Sequence, residues 1–375
     1  MKMKYRLSFL LPAGALAAGA FAGAAPLETA SPEKLPSLPE GGFTYCVIPD
    51  TQRYLGEGAH IKKGRKAHVP TDGPTRNPAF ESRVDWIVRN LAKERIFFVS
   101  HTGDIVDFKN DQQWSFASNL MTRLDGKVPY GISPGNHDLS VQTSTAFNRY
   151  FPRGRYAGNA WYAGAFDGTV RPDGEIVSGG NANSCQLAEI DGHRFVFLHL
   201  ECNAPADVLR WVDGMLDRYA DRKAIICTHM CVGYRTKEID MRRRKTKDSE
   251  KVDEWFGVMD WSKCHGERGV SGEEAWRTCF SKHANLILVV SGDQGPAISW
   301  RETRRGEKGN IVHLTLQDYP RRRDDDDWLR LYRFRKDMSA IDVYTYSPQQ
   351  DKVCEKAGFR ADARFHVFTL PLDVR

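Results

Sequence analysis

IFFVSHTGDIVD, Ile96 to Asp107, decides the architecture of this chain. Apolar and β-branched residues run from Ile96 to Val99, and the run breaks at Gly103-Asp104. That is the pattern of a strand running into a glycine turn that presents polar groups. Its flanks repeat the theme. Upstream, PAFESRVDWIVRNLAKER (Pro78 to Arg95) places Val84, Ile87, Val88 and Leu91 at helical spacing, and FTYCVIPD (Phe43 to Asp50) is strand-like. Downstream, WSFASNLMTRL (Trp114 to Leu124) reads as a helix, and VPYGISPGNHD (Val128 to Asp138) as another strand entering a turn. Strands alternating with helices predict βαβ units and a mostly parallel sheet, whose ligand groups gather at the carboxyl ends of the strands.

From Cys185 the pattern changes. SCQLAEIDGHRFVFLHLE predicts a hairpin turning at Asp191-Gly192. AIICTHM and NLILVVSGD are buried strands ending in polar residues, separated by a charged insertion from about Thr236 to Arg268 that is too polar for a core. SGEEAWRTCF follows, with Ser271 and Glu274 at capping-box spacing. The tail, NIVHLTLQDY, WLRLYRFR, AIDVYTYS and RFHVFTL, alternates like antiparallel strands. Two sheets with helices outside accommodate these elements better than one, so the predicted fold is α/β, a two-sheet β-sandwich flanked by helices. Residues 43–318 form the main domain and 319–375 are expected to complete its second sheet.

With 375 residues, 41% hydrophobic and 27% charged, the chain has the composition of a soluble globular protein. Residues 1–24 carry Lys2, Lys4 and Arg6, then an apolar run and Ala22-Gly23-Ala24. This is the layout of a secretory signal peptide, so export to the periplasm or beyond is expected. Residues 25–42 read as a Pro- and Gly-bearing linker. Removal of the signal would lower the net charge from +6 to +3, too close to neutral to support stable nucleic-acid binding. Arg321 to Arg323 are followed at once by Asp324 to Asp327, which cancel their field locally. No transmembrane segment is expected in the mature chain. Of the eight cysteines, Cys46 and Cys227 lie in strand-like runs and are expected to be reduced, whereas Cys264 and Cys279 are the expected disulfide pair.

Five polar turns follow apolar runs in order: Asp50-Thr51-Gln52, Gly103-Asp104-Ile105-Val106-Asp107, Gly135-Asn136-His137-Asp138, Thr228-His229 and Gly292-Asp293-Gln294. Each alone is a common turn. Together they gather several carboxylates, a carboxamide and two histidines around one crevice. Carboxylates so crowded repel one another unless a cation lies among them, and Asp, Asn and His are ligands for a divalent ion.

This ordered set resembles the calcineurin-like metallophosphoesterases, whose signature reads D-x-H/Q, G-D-x-x-D, G-N-H-D/E, a lone H and G-H-x-H. The resemblance runs from about residue 43 to about 348, and VDWIVRN, FNRYFP, WLRLYRF and VYTYSP are similar to a secreted bacterial branch of that family. It implies a four-layer αββα fold and hydrolysis of phosphomonoesters or phosphodiesters, small-molecule or polymeric, by metal-activated water. By the same resemblance Asp104 would bridge two metal ions, Asp50 and Gln52 would bind the first, and Asn136 and His229 the second. His137 would stabilise phosphoryl oxygens or protonate the leaving group, with Asp138 holding its ring, and Asp107 would shape the turn.

The last motif departs from the family. Asp293 and Gly295 stand where two histidines are expected. Asp293 reads either as an oxygen ligand of the second ion or as a cap after its strand. Gln294, His60 or His68 are further possible ligands. One or two divalent ions are implied, from Mn, Mg, Ca, Fe or Zn, and the oxygen-rich set favours the first three. The alternative expectation is a catalytically impaired member of the family that binds a ligand or a partner.

Overall fold

The structure is a computed structural model that describes residues 32–59, 72–140, 144–232, 264–293, 298–319, 327–354 and 363–373. The expected signal peptide, most of the charged insertion, His60, His68, Gln294 and Gly295 lie outside the described residues. The chain opens with β1 (Phe43–Ile48), α1 (Pro78–Asn90), β2 (Ile96–His101), α2 (Asp111–Met121), β3 (Tyr130–Ile132) and α3 (Thr145–Tyr150). Strands β4 (Tyr162–Ala165), β5 (Thr169–Val170), β6 (Ile176–Val177), β7 (Ser184–Ile190) and β8 (His193–Leu200) lead into α4 (Ala206–Arg218). Then come β9 (Lys223–Thr228), α5 (Gly272–Thr278), β10 (Leu286–Ser291), β11 (Ile298–Arg305) and β12 (Ile311–Asp318). β13 (Leu329–Phe334), β14 (Ala340–Ser347), β15 (Lys352–Val353) and β16 (Val367–Pro371) follow.

Two seven-stranded sheets form the body. One has the order β15-β14-β13-β1-β2-β3, with β16 also pairing with β14; the other has the order β11-β12-β10-β9-β8-β7-β4. Both are mixed. β1, β2 and β3 are parallel, as are β8, β9, β10 and β12, while their outer neighbours run antiparallel.

Every residue of β1 is buried, because the strand is covered on both faces. Phe43, Tyr45 and Val47 face the second sheet, whereas Cys46 and Ile48 face the helices. The helix side of the first sheet packs on Phe80, Val84 and Ile87 of α1 and Trp114, Ala117 and Leu120 of α2. The second sheet packs in the same way on Val208, Val212 and Leu216 of α4 and Ala275 of α5. Two large sheets with helices outside are thus the predicted α/β sandwich.

Between the sheets lies an aromatic layer in which Phe98 and Phe197 stack at 3.7 Å and 4°, a pair worth about 0.5–1.5 kcal/mol beyond its burial. Polar pairs interrupt that layer. Ser100 Oγ and His199 Nε2 lie 2.7 Å apart, and His199 Nδ1 meets Gln186 Oε1 at 2.7 Å. Ser133 donates to the Cys227 carbonyl at 2.8 Å, and Tyr332 bridges Thr315 and Gln317 at 2.7 and 2.8 Å.

Several local expectations hold. Asp191 and Gly192 turn the β7–β8 hairpin with φ of 50° and 79°, and Ser271 Oγ accepts from the Glu274 N–H at 3.1 Å to cap α5. Two do not. The tail strands β13 to β16 complete the sheet opened by β1 rather than the one that ends in β12, because β13 pairs antiparallel with the free edge of β1. All eight cysteines are free thiols. Cys264 packs with Leu139, Cys202 and Met230, whereas Cys279 sits under α4 with its thiol on the Leu209 carbonyl at 3.5 Å, so the expected pair is separated into two clusters. Among the described residues no helix is long and apolar enough to cross a membrane.

Candidate metal centre

All five polar turns open at the carboxyl ends of strands, three from the first sheet and two from the second. Asp50 follows β1, and a buried arginine grips the two carbonyls just past the end of that strand. Arg83 of α1 donates to Pro49 O and Asp50 O at 3.3 and 2.9 Å. The helix itself is started by Asn77, which accepts from the Phe80 N–H at 3.0 Å and donates to Thr51 O at 2.6 Å. One helix N-terminus therefore anchors the Asp50 turn on both sides.

Asp104 follows β2 in the left-handed region, at φ 48°, after Gly103 at φ 106°. A side chain on Gly103 would lie 2.4 Å from the Ser133 carbonyl, and one on Gly135 would lie 2.3 Å from Asp104 Oδ1. The two glycines let the β2 and β3 turns close around one carboxylate. Asp104 Oδ1 accepts from the His137 N–H at 2.8 Å, and Oδ2 lies 2.8 Å from Gln52 Nε2. His101, at the end of β2, accepts from the Gly103 N–H at 3.1 Å and meets Thr51 Oγ1 at 3.0 Å, locking two of the turns together. Burial, with Arg83 and His229 adding to it, lowers its pKa to about 3, so it is a neutral structural imidazole.

His229 is fully buried. Its Nδ1 meets Thr102 O at 2.8 Å and so carries a hydrogen, which leaves Nε2 facing Asp104 Oδ1 at 3.2 Å and Asp293 Oδ1 at 3.9 Å. No hydrogen bond satisfies the buried Asp50 Oδ2, Gln52 Oε1 or Asn136 Oδ1. Buried ligand oxygens left without hydrogen bonds beside a buried carboxylate are what a divalent cation satisfies. Ligand atoms of Asp50, Asp104 and His229 all lie within 4.8 Å of one another.

The electrostatics agree. Burial raises Asp50 far above the usual carboxylate range, and the charges of Asp318, Asp104 and Asp293 add to it. For His229 burial acts downward, but Asp104 and Asp50 raise it well above an ordinary imidazole. Burial also acts upward on Asp104, where His229 and then His137 pull harder and hold it well below the usual range. The metal-free site thus keeps Asp104 ionised and holds protons on its neighbours. Uptake of Mn²⁺ is expected to expel the protons held by Asp50 and His229, with apparent affinity falling as pH drops. Calorimetry in two buffers of different ionisation enthalpy measures this directly, and identical heats would contradict it.

Of the predicted residues, Asp50, Asp104 and His229 share one cluster, with Gln52 Nε2 2.8 Å from Asp104 Oδ2 and Asp293 Oδ1 3.9 Å from His229 Nε2; Asn136 lies between Gly135, which closes on Asp104, and His137, which stands at the rim. Asp138 does not hold the His137 ring. Its carboxylate accepts from the N–H groups of Ile105, Val106 and Gly135 at 2.7–3.1 Å, stapling the β2 and β3 turns together. Burial, then the charge of Asp104, pushes it up to about 6 against those bonds. The His137 ring is held instead by Asp107, with Nδ1 3.0 Å from its carbonyl and 3.5 Å from its carboxylate. Motif reading also missed Arg83, His101 and Thr102, which donates to Asp50 Oδ1 at 3.1 Å. His101 and Thr102 carry one signal, their place at the polar end of β2, whereas Arg83 lies within α1.

A profile of the family described as calcineurin-like phosphoesterase matches residues 44–297. The Bacillus subtilis (strain 168) protein named "Uncharacterized protein YvnB" is 25% identical over 317 residues, which cover 82% of this chain and 20% of that one. The chain thus spans about a fifth of that relative's length. Among solved structures, the purple acid phosphatase PPD1 of yellow lupin (Lupinus luteus) aligns with 88% of this chain and 54% of its own at 13% identity and a TM-score of 0.46. GAP50 of Plasmodium, described as the anchor in the inner membrane complex, aligns at 9% identity and a TM-score of 0.40, covering 89% of each chain. Haemophilus influenzae NAD nucleotidase aligns at 10% identity and a TM-score of 0.41, covering 84% of this chain and 48% of its own.

Proposed function

This chain belongs to the calcineurin-like phosphoesterase family, and from that premise we propose that it is a metal-dependent phosphoesterase acting on phosphomonoesters or phosphodiesters with water as nucleophile. The observation that carries the reading is the buried cluster of Asp50, Asp104 and His229, whose ligand atoms all lie within 4.8 Å of one another, with Asp50 Oδ2 and Gln52 Oε1 beside it lacking hydrogen bonds. Asp50, Gln52 and Asp104 would hold one divalent ion, and Asp104, Asn136, His229 and Asp293 a second. Bound there, the ions would neutralise phosphoryl charge and acidify a water for in-line attack on phosphorus. The oxygen-rich donor set suits Mn²⁺, Mg²⁺ or Ca²⁺.

The chain's own residues position the rest. The His137 ring is about a third exposed, with Nδ1 fixed on Asp107 and Nε2 3.9 Å from Asp104 Oδ2. In its protonated form Nε2 donates to a phosphoryl or leaving-group oxygen. Asp138 acts one step back, by fixing the backbone that carries both Asp104 and His137. The basic and apolar start of residues 1–24 supports export of the enzyme.

The full chain incubated with Mn²⁺ is expected to hydrolyse an activated aryl phosphate ester. His137→Ala is expected to lower kcat by ~10²–10⁴ with bound Mn²⁺ unchanged. The aspartate and glycine at 293 and 295 favour a second reading, a phosphoesterase fold that binds a ligand or partner without turnover. No retained divalent ion, and no hydrolysis with any added ion, would select it.

A further inference from the structure

A second group of ligand atoms lies at the far end of the second sheet. Asp213, Cys279 and His283 each offer one ligand atom, and the three atoms lie within 4.8 Å of one another. Two short stretches bring them together. α4 carries Asp213 and Asp217 four residues apart, on one face of the helix. Opposite them a single 3-10 turn, Phe280–Lys282, separates Cys279 from His283. This group stands just before β10 begins, whereas the Asp293 turn stands just after it ends. The strand between them has six residues and spans about 20 Å.

His283 is held in place by its backbone and its ring. Asn310 donates to its carbonyl at 3.1 Å. The ring is buried between two carboxylates, with Nε2 2.8 Å from Asp213 Oδ1 and Nδ1 3.4 Å from Asp217 Oδ1. Asp217 stands in the last turn of α4, where the helix dipole disfavours a negative charge and favours a cation. Cys279 is 2% exposed, and its thiol meets Leu209 O at 3.5 Å, a weak sulfur contact. The Asp213 side chain is 44% exposed, so the group opens to solvent on that side.

We propose that Asp213, Cys279 and His283 form a zinc-binding site separate from the phosphoesterase centre. A thiolate, an imidazole and a carboxylate are donors that Zn²⁺ takes together, and the thiolate sets the site apart from the oxygen-rich one that suits Mn²⁺, Mg²⁺ or Ca²⁺. His283 ligates through Nε2 while Nδ1 donates to Asp217, the carboxylate–histidine–metal arrangement that fixes a ligating ring. Binding releases the Cys279 thiol proton to solvent, and water takes the fourth position on the open side. The ion ties α4 to the segment that enters β10, two elements packed against the same apolar cluster.

Co²⁺ titration of the metal-stripped full chain tests this with a signal that belongs to this site. A cobalt–thiolate bond gives a near-ultraviolet charge-transfer band, and no cysteine stands among the ligands of the phosphoesterase centre. The wild type is expected to develop the band, and added Zn²⁺ to abolish it. Cys279→Ser is expected to lose the band, and His283→Gln to need at least ~10-fold more Co²⁺ to reach it. Should these buried changes prevent folding, Asp213→Asn alters a half-exposed side chain and is expected to weaken Co²⁺ by the same factor. Hydrolysis with Mn²⁺ is expected to stay unchanged in every variant that folds. No band in the wild type, or a band formed at the wild-type Co²⁺ concentration by the variants that fold, would overturn the site and leave His283 as the partner of two aspartates. Either result leaves the phosphoesterase reading untouched.

Discussion

Asp104→Asn is expected to lose the metal pair and to slow ester hydrolysis by ~10³-fold or more while the chain stays folded. Asp104 is the residue that both ion positions share. Its Oδ1 lies 3.2 Å from His229 Nε2 and its Oδ2 lies 2.8 Å from Gln52 Nε2, so its two oxygens face the two halves of the site. A bound ion at a reacting phosphoryl group is worth several kcal/mol, and each 1.36 kcal/mol is about tenfold in rate. Asparagine suits this position because it tolerates the left-handed backbone that Asp104 adopts at φ 48°. The change removes charge and leaves shape. Metal-free variant should melt below metal-free wild type near neutral pH, since the buried His229 loses the carboxylate that holds its charge. Elemental analysis beside steady-state kinetics checks the expectation. Two ions retained at an unchanged rate would refute a shared role for Asp104.

Glu94→Ala is expected to cost about 3–5 kcal/mol of folding stability, the penalty for leaving a buried charge without its partner. Glu94 sits in the turn between α1 and β2 and accepts from Arg333 Nη2 at 2.5 Å, both side chains being almost fully buried. The same guanidinium donates to Pro36 O at 2.6 Å and lies 5.3 Å from the Tyr344 ring centroid. It thus ties the segment before β1 to the strands of the tail. Removing both charges together, as Glu94→Leu with Arg333→Met, should recover most of the loss, because a well-packed apolar pair replaces a buried ion pair with little penalty. Urea denaturation of the single and double variants separates the two costs. Mn²⁺ affinity should be unaffected in both, since the pair lies at the opposite end of β1 from Asp50.

Much of the site was legible because its residues follow apolar runs, and a run's end is a local property. β1, β2, β3, β9 and β10 each stop where the sequence turns polar, and the predicted ligands Asp50, Asp104, Asn136, His229 and Asp293 stand just beyond. What a strand pairs with is not local. The alternation in WLRLYRF identifies β13 but not its neighbour, and that neighbour is β1, nearly 290 residues earlier. Side-chain direction within a motif is equally hidden. His137 and Asp138 are adjacent in sequence, yet the aspartate turns inward to three backbone N–H groups while the histidine faces the crevice.

The polar pairs between the sheets have a consequence for tolerance. Burial of apolar surface between two sheets is non-directional. The Asp50, Asp104 and Asn136 turns ride on one sheet and the His229 and Asp293 turns on the other, so an offset of one residue, about 3.3 Å, would pull the ligands apart. Ser100 with His199, Ser133 with the Cys227 carbonyl, and Tyr332 with Thr315 and Gln317 each span the gap at 2.7–2.8 Å. Hydrogen bonds in a dry layer are directional and costly to leave unmade. They act as locating pins, and the precision of the crevice at one end of the sandwich is set by buried hydroxyls well beneath it.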